Sequence, residues 1–136
     1  MFTYGIIIEK KGNIIMNINF DKIKEDYFNI EGRINRKVYI MRFLTLMVIS
    51  FIIGLIFGLL GSNNGLVNVI ISLVLAIAAF SQHIKRLHDL GKSAWWCLLM
   101  LIPIVNLGLI IYLVFFKGDE FTNEYGINPL ANDNSF

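Results

Sequence analysis

The stretch "HIKRLHDLGKSAWW" (83–96) packs two histidines, an aspartate, three cations and two tryptophans between long apolar runs. His83 and His88 stand about 140° apart around a helix, so they share no face for a metal, and no H-E-x-x-H spacing or nearby cysteine completes a ligand set. Neither a metal nor a cofactor is expected. His88 beside Asp89 suggests acid–base chemistry, but adjacent side chains rarely orient on one another without help from the fold. Ser81 and Ser93 lie near in sequence with no nucleophile-elbow pattern around either. Catalysis is therefore the minor expectation, and a wet turn between two greasy segments is the better one. Lys85 and Arg86 would end one apolar helix with their stems in lipid and their heads in water. Asp89 can pair with Arg86, Gly91 can supply a turn with positive φ, and Trp95 and Trp96 would open the next segment as anchors at headgroup depth.

The elements that must hold this turn are membrane helices. Hydrophobic residues make up 56% of the 136-residue chain and charged ones 16%, with a mean hydropathy of +0.64. A soluble domain of this size could not hide so much apolar surface. Three runs, 38–60, 66–84 and 94–116, are each about 20 residues long and reach about 30 Å as helices, the thickness of a bilayer's hydrocarbon core. Lys22, Lys24, Arg33, Arg36 and Lys37 precede the first, Lys85, Arg86 and Lys92 follow the second, and "GSNNG" (61–65) between them carries no charge. The positive-inside rule then places the N-terminus and the 85–93 turn in the cytoplasm of a multi-pass protein. A net charge of +2 is too weak to suggest nucleic acid. Arg42 is the one formal charge inside a run and is shallow enough to snorkel. No Asp or Glu lies within any run, so a proton relay or coupled-ion site lacks obvious residues.

The third run is the least regular. Pro103 removes a backbone donor, and Asn106 and Gly108 follow closely. Either the run is one kinked span, the expectation favoured by its length, or it is a re-entrant hairpin that returns the tail to the cytoplasm. In the first case the tail lies outside. In the second, Asn123 and Tyr125 meet Arg33, Arg36 and the 86–89 turn. Gly54 and Gly58, extended by Ser50, form a small-xxx-small groove, and Ser72, Ala76 and Ala79 offer a matching face. Close packing within the chain is expected there, with homodimerisation the alternative. Before the first run, Phe20, Ile23, Tyr27 and Ile30 recur at helical spacing, predicting an amphipathic helix lying flat at the interface. Residues 1–16 read as an extension forming a short hairpin, or as residues upstream of a start at Met16. Residues 17–130 are the membrane domain, and 131–136 a flexible tail.

Three motifs together resemble a family of small bacterial inner-membrane proteins of unknown function, DUF805. "GRINRKVYI" (32–40) is similar to its Gly-Arg-x-x-Arg opening, and "KRLHDLGKSAWWCLLMLIPIVNLG" (85–108) to its Arg-Arg-Leu-His-Asp, Ser-x-Trp-Trp and Ile-Pro series. "NEYGINP" resembles its tail through Asn123, Tyr125, Gly126 and Pro129. Lys85 departs from the arginine usual at that position, which counts against any role needing a bidentate guanidinium there. The resemblance implies the inner membrane and no established reaction.

The fold class expected is thus an all-α integral membrane protein of three transmembrane helices, the third kinked or re-entrant, after an interfacial helix. The leading functional class is a non-catalytic protein that packs against itself, a membrane partner or anionic lipid. A second is an interfacial enzyme or head-group binder using Arg33, Arg36, Arg86, His88 and Asp89. A third is a pore-forming oligomer.

Overall fold

Residues 19–59, 61 and 65–131 are described by the computed structural model. The N-terminal extension, most of the "GSNNG" loop and the last residues of the tail lie outside the described residues. The order is α1 (Phe20–Phe28), α2 (Arg36–Leu59), α3 (Gly65–Asp89), a 3-10 helix (Ala94–Leu101) and α4 (Pro103–Phe115).

Helix α1 starts where the Asn19 side chain accepts from the Lys22 amide at 3.1 Å, an N-cap that serves one of the helix's unpaired donors. Asn35 does the same for α2 by accepting from the Val38 amide at 2.9 Å. With 24 and 25 residues, α2 and α3 extend about 36 and 38 Å, and both are long and apolar enough to cross a membrane. Helix α3 therefore has length to spare, and its last turns carry the polar residues 85–89. Along the spans the apolar side chains point outward: Leu44, Met47, Phe51, Leu55, Val69, Leu73 and Ile77 are all exposed. That arrangement suits lipid as the surrounding solvent. The hydroxyls of Thr45 and Ser50 donate back to the carbonyls of Met41 and Leu46, each at 2.8 Å, so neither is left unpaired in an apolar setting.

The packed core sits at one end. Ile34, Tyr39, Leu87, Leu90, Cys97, Leu109 and Leu113 are buried together there. Helix α3 stops in a Schellman motif, with Lys92 N–H donating to Leu87 (2.8 Å) and Gly91 N–H to His88 (3.1 Å). Gly91 takes φ +65 to close it, and a Cβ at that position would stand 2.7 Å from an Asp119 carboxylate oxygen.

The 94–116 run does not form the single kinked helix that its length suggests. Ser93 caps a 3-10 helix, Ile102 is extended, and Pro103 opens α4. Proline disfavours the helical conformation in the residue before it and suits the first helical position, so the chain breaks at 102–103. The 3-10 helix rises about 16 Å and α4 about 20 Å, and the second runs back beside the first. The end of α4 returns to the end of α3, where Arg86 donates to the carbonyls of Leu113 and Phe116. These apolar segments therefore form a hairpin.

The small faces of α2 and α3 do not close on each other either. The two helices meet near Tyr39, Leu46 and Ala78 and leave an open groove of about 810 Å³ farther along, with Ser50, Gly54, Gly58, Ser72 and Ala76 in its walls. A Cβ built at Gly54 or Gly58 meets nothing within 4 Å. Gly54→Leu and Gly58→Leu should therefore leave the isolated protein's unfolding in detergent within about 0.5 kcal/mol of the parent. A loss of several times that, matching a core substitution, would mean that the helices pack together there.

Candidate functional site

Three charged side chains meet at the open end of the hairpin, where the end of α4 returns to the end of α3. Arg33 belongs to the linker before α2, and Arg86 and Asp89 lie one turn apart on the last turns of α3. Their side chains are 1%, 0% and 4% exposed. The Asp89 carboxylate accepts from Arg33 Nε at 3.2 Å through one oxygen and from Arg86 through the other. Two guanidiniums carry ten N–H donors, more than one carboxylate can accept, so the remainder must find carbonyls. Arg33 donates to Phe121 (2.8 Å), Gly126 (3.1 Å) and Asp119 (2.7 Å), and Arg86 to Leu113 (2.9 Å) and Phe116. The Asp89 carbonyl in turn accepts from the Asp119 amide at 2.7 Å.

The tail folds onto this node. Asn123 donates to the His88 carbonyl (2.9 Å) and to the Asp119 carboxylate (2.8 Å). Tyr125 stacks on the His88 ring, with centroids 3.9 Å apart and planes 1° from parallel. His88 Nδ1 lies 3.3 Å from the Gly32 carbonyl, and Gly126, at φ +135, pairs with Asn123 and turns its own carbonyl to Arg33. Arg33, Arg86, His88, Asp89, Asn123, Tyr125 and Gly126 thus come together in one place. Arg36 does not join the buried node: it is exposed at the rim of a cleft of about 70 Å³ that reaches the node's Arg86 and Asp89 and is shared with Asn35, Lys117 and Glu120. Pro129 is half-buried beyond Asn128, whose side chain holds the Glu120 carbonyl at 2.8 Å. Trp95 is largely exposed on the 3-10 helix, while Trp96 lies under the Lys92 ammonium, 5.4 Å from its ring centroid.

A second polar cluster binds α1. Arg42 forms an ion pair with Asp26 at 2.6 Å and contacts Gln82 Oε1 at 3.3 Å, instead of extending freely to water. Gln82 donates to the Asp26 carbonyl (2.8 Å), Lys85 to Glu25 (2.8 Å), and Ser81 to Asn29. Cations and donors thus collect at the negative end of α1. Deeper along α3, His83 Nδ1 lies 2.9 Å from the Tyr39 hydroxyl.

Sequence reasoning missed Gly118, Asp119 and the Gln82–Asp26 contact. Gly118 has to be glycine because a Cβ there would overlap the Asp89 carboxylate. The motif "KGD" after an apolar run was the available signal, but the carbonyl acceptors of Leu113, Phe116 and Phe121 have no signature in side-chain identity. Outside the spans, the hydrogen bond from Lys117 (2.5 Å) and its charge hold the Glu120 carboxyl below its ordinary range, and a hydrogen bond with Glu124 raises the Tyr125 phenol.

Chemically, the node is closed. Both Asp89 oxygens are engaged by guanidiniums, and His88 is covered by Tyr125. Among the described residues, no group of three or more His, Cys, Asp or Glu is placed to hold a metal.

Two helices long and apolar enough to cross a membrane, a further apolar hairpin and exposed apolar side chains suit a membrane protein, and comparison with known proteins agrees. The chain is 31% identical over 112 residues to inner membrane protein YhaH of Escherichia coli K12, covering 79% of this chain and 93% of that one. It is also 31% identical over 114 residues to inner membrane protein YhaI of the same strain, covering 82% and 95%. Residues 27–127 match the model for a protein family of unknown function, DUF805, and the chain belongs to that family. No solved structure matches it.

Removing the shared carboxylate leaves two buried guanidiniums facing each other. Asp89→Ala should lower unfolding stability in detergent by about 3–5 kcal/mol, and Gly118→Ala by about 1–3 kcal/mol through overpacking. Lys24→Ala on exposed α1 should stay within about 0.5 kcal/mol. Chemical denaturation followed by tryptophan fluorescence measures all three, and an Asp89→Ala loss no larger than that of Lys24→Ala would mean the node does not hold the fold.

Proposed function

We propose that this chain is a non-catalytic, multi-pass inner-membrane protein with two full spans and a re-entrant hairpin, both of its ends lying in the cytoplasm. It meets lipid or a membrane partner through surfaces outside a closed polar clamp. The observation that carries this proposal is that every guanidinium nitrogen of Arg33 and Arg86 and both Asp89 oxygens have a partner within the protein. An enzyme or head-group binder at the same cluster would need a free donor or base facing an open cavity. The cleft that reaches Arg86 and Asp89 past Arg36 offers about 70 Å³, scarcely more than room for a water or two.

Orientation rests on charge. Lys22, Lys24, Arg33, Arg36 and Lys37 gather with Lys85, Arg86 and Lys92 at the clamp end, the side that faces the cytoplasm under the positive-inside rule. The hydrogen bonds from Arg33 and Asn123 then bring the tail to that side as well. Helix α1, with Phe20, Ile23 and Phe28 exposed and its carbonyl end fixed by Lys85 and Arg42, lies along the membrane surface.

Single cysteines at Ser93, Thr122 and Asn63, in a Cys97→Ser background, test this topology with a membrane-impermeant maleimide on intact cells. Position 63 should label at once, while 93 and 122 should label only after the membrane is opened. Labelling of 122 in intact cells with 93 protected would establish three full spans and remove the proposal.

A further inference from the structure

The hairpin leaves a second opening that the clamp does not use. A groove of about 400 Å³ runs between the 3-10 helix and α4. Its walls change character along their length. At the clamp end stand the Lys92 ammonium, the Trp96 ring and Tyr112. Toward the 102–103 break the lining is Leu99, Val105 and Gly108, with buried Leu109 beneath. The spacing accounts for this layout. Trp96 and Leu99 are three apart on a 3-10 helix and so eclipse one another, while Val105, Gly108, Leu109 and Tyr112 share one face of α4. Gly108 deepens the groove, since a Cβ there meets nothing within 4 Å.

Lys92 is what identifies the occupant. Among the described residues it has no ion pair; the nearby Asp89 is taken by Arg33 and Arg86. A cation thus stands over an indole at the mouth of a groove that is otherwise apolar. The 3-10 helix rises about 16 Å, close to half of a ~30 Å hydrocarbon core, so the groove has the depth of one leaflet.

We propose that this groove binds one anionic phospholipid, its phosphate on Lys92 beside Trp96 and one acyl chain lying over Gly108 toward Leu99 and Val105. The match is between an amphiphile and a polarity gradient. A zwitterionic lipid fills the same space with less attraction to the ammonium, and a free phosphate lacks the chain that the apolar end takes. The assignment rests on the re-entrant topology only for which leaflet supplies the lipid.

The full chain with Trp95→Phe keeps Trp96 as its single indole. Reconstituted in phosphatidylcholine, it is titrated with phosphatidylglycerol carrying brominated acyl chains, or with equally brominated phosphatidylcholine, and Trp96 quenching is read. Brominated phosphatidylglycerol should quench at the lower mole fraction, and Lys92→Ala should weaken that preference about fivefold. Gly108→Leu should reduce quenching by both lipids while leaving thermal unfolding unchanged, because its side chain fills the groove and not the core. Lys37→Ala, an exposed cation away from the groove, should change neither. Equal quenching by the two lipids, a preference surviving Lys92→Ala, or an equal loss with Lys37→Ala would overturn the proposal. If Gly108→Leu does not accumulate, the Lys92 and Lys37 comparison decides alone. Bromines on the acyl chains report the groove from either leaflet, so a wrong topology would appear in the maleimide experiment and not here.

Discussion

One carboxylate held between two guanidiniums governs the arrangement of this chain. The last carbonyls of α4 have no helical donors of their own, and near lipid they cannot be left unpaired. Arg86 reaches across from α3 to supply two of them, and can stay charged and buried because Asp89 faces it. Arg33 completes the arrangement by engaging Asp89 from the linker and gathering three carbonyls of the tail. The linker, the end of α3, the end of α4 and the tail are thereby tied to one point. A buried ion pair adds little net stability over apolar packing, yet losing one member is costly, so its effect is to select this arrangement over others.

Helix α3 can serve two neighbours because its final turns carry polar residues on two faces. Ser81, Gln82 and Lys85 turn toward the carbonyl end of α1, while Arg86 and Asp89 turn toward α4 and the tail. Most of the polar groups near this end of the protein are occupied with one another. The chemistry left at its edge is sparse: Arg36 at a small cleft, and Lys92 at the mouth of the hairpin groove.

How much of this could be read from residues alone varies along the chain. The long apolar helices at 38–60 and 66–84 were legible because helices suited to lipid are apolar on nearly every side, and α2 and α3 cover them within a few residues. The end of α3 at Gly91 was legible because glycine and the cations punctuate two apolar runs. Lys85–Asp89, however, expected as a wet turn with the Lys85 and Arg86 heads in water, continue the helix and are buried against α1, α4 and the tail. The 94–116 run is ambiguous in sequence because about 20 apolar residues suffice for one span or for two shorter limbs, and it is Pro103 that divides them. Gly54 and Gly58 misled, since small residues permit close approach without compelling it. The gathering of Asn123 and Tyr125 onto His88 was visible only as one of two alternatives. What chose between them, backbone carbonyls meeting Arg33 and Arg86, has no trace in composition or spacing.

The distance between the α3 turn and the tail tests the central claim most directly. Spin labels at Ser93 and Thr122, in a Cys97→Ser background reconstituted in lipid bilayers, give that distance by double electron–electron resonance. The clamp predicts one population well short of the ~30 Å hydrocarbon thickness, lengthened or broadened by Asp89→Ala. A distance at or beyond that thickness, unaffected by Asp89→Ala, would contradict it.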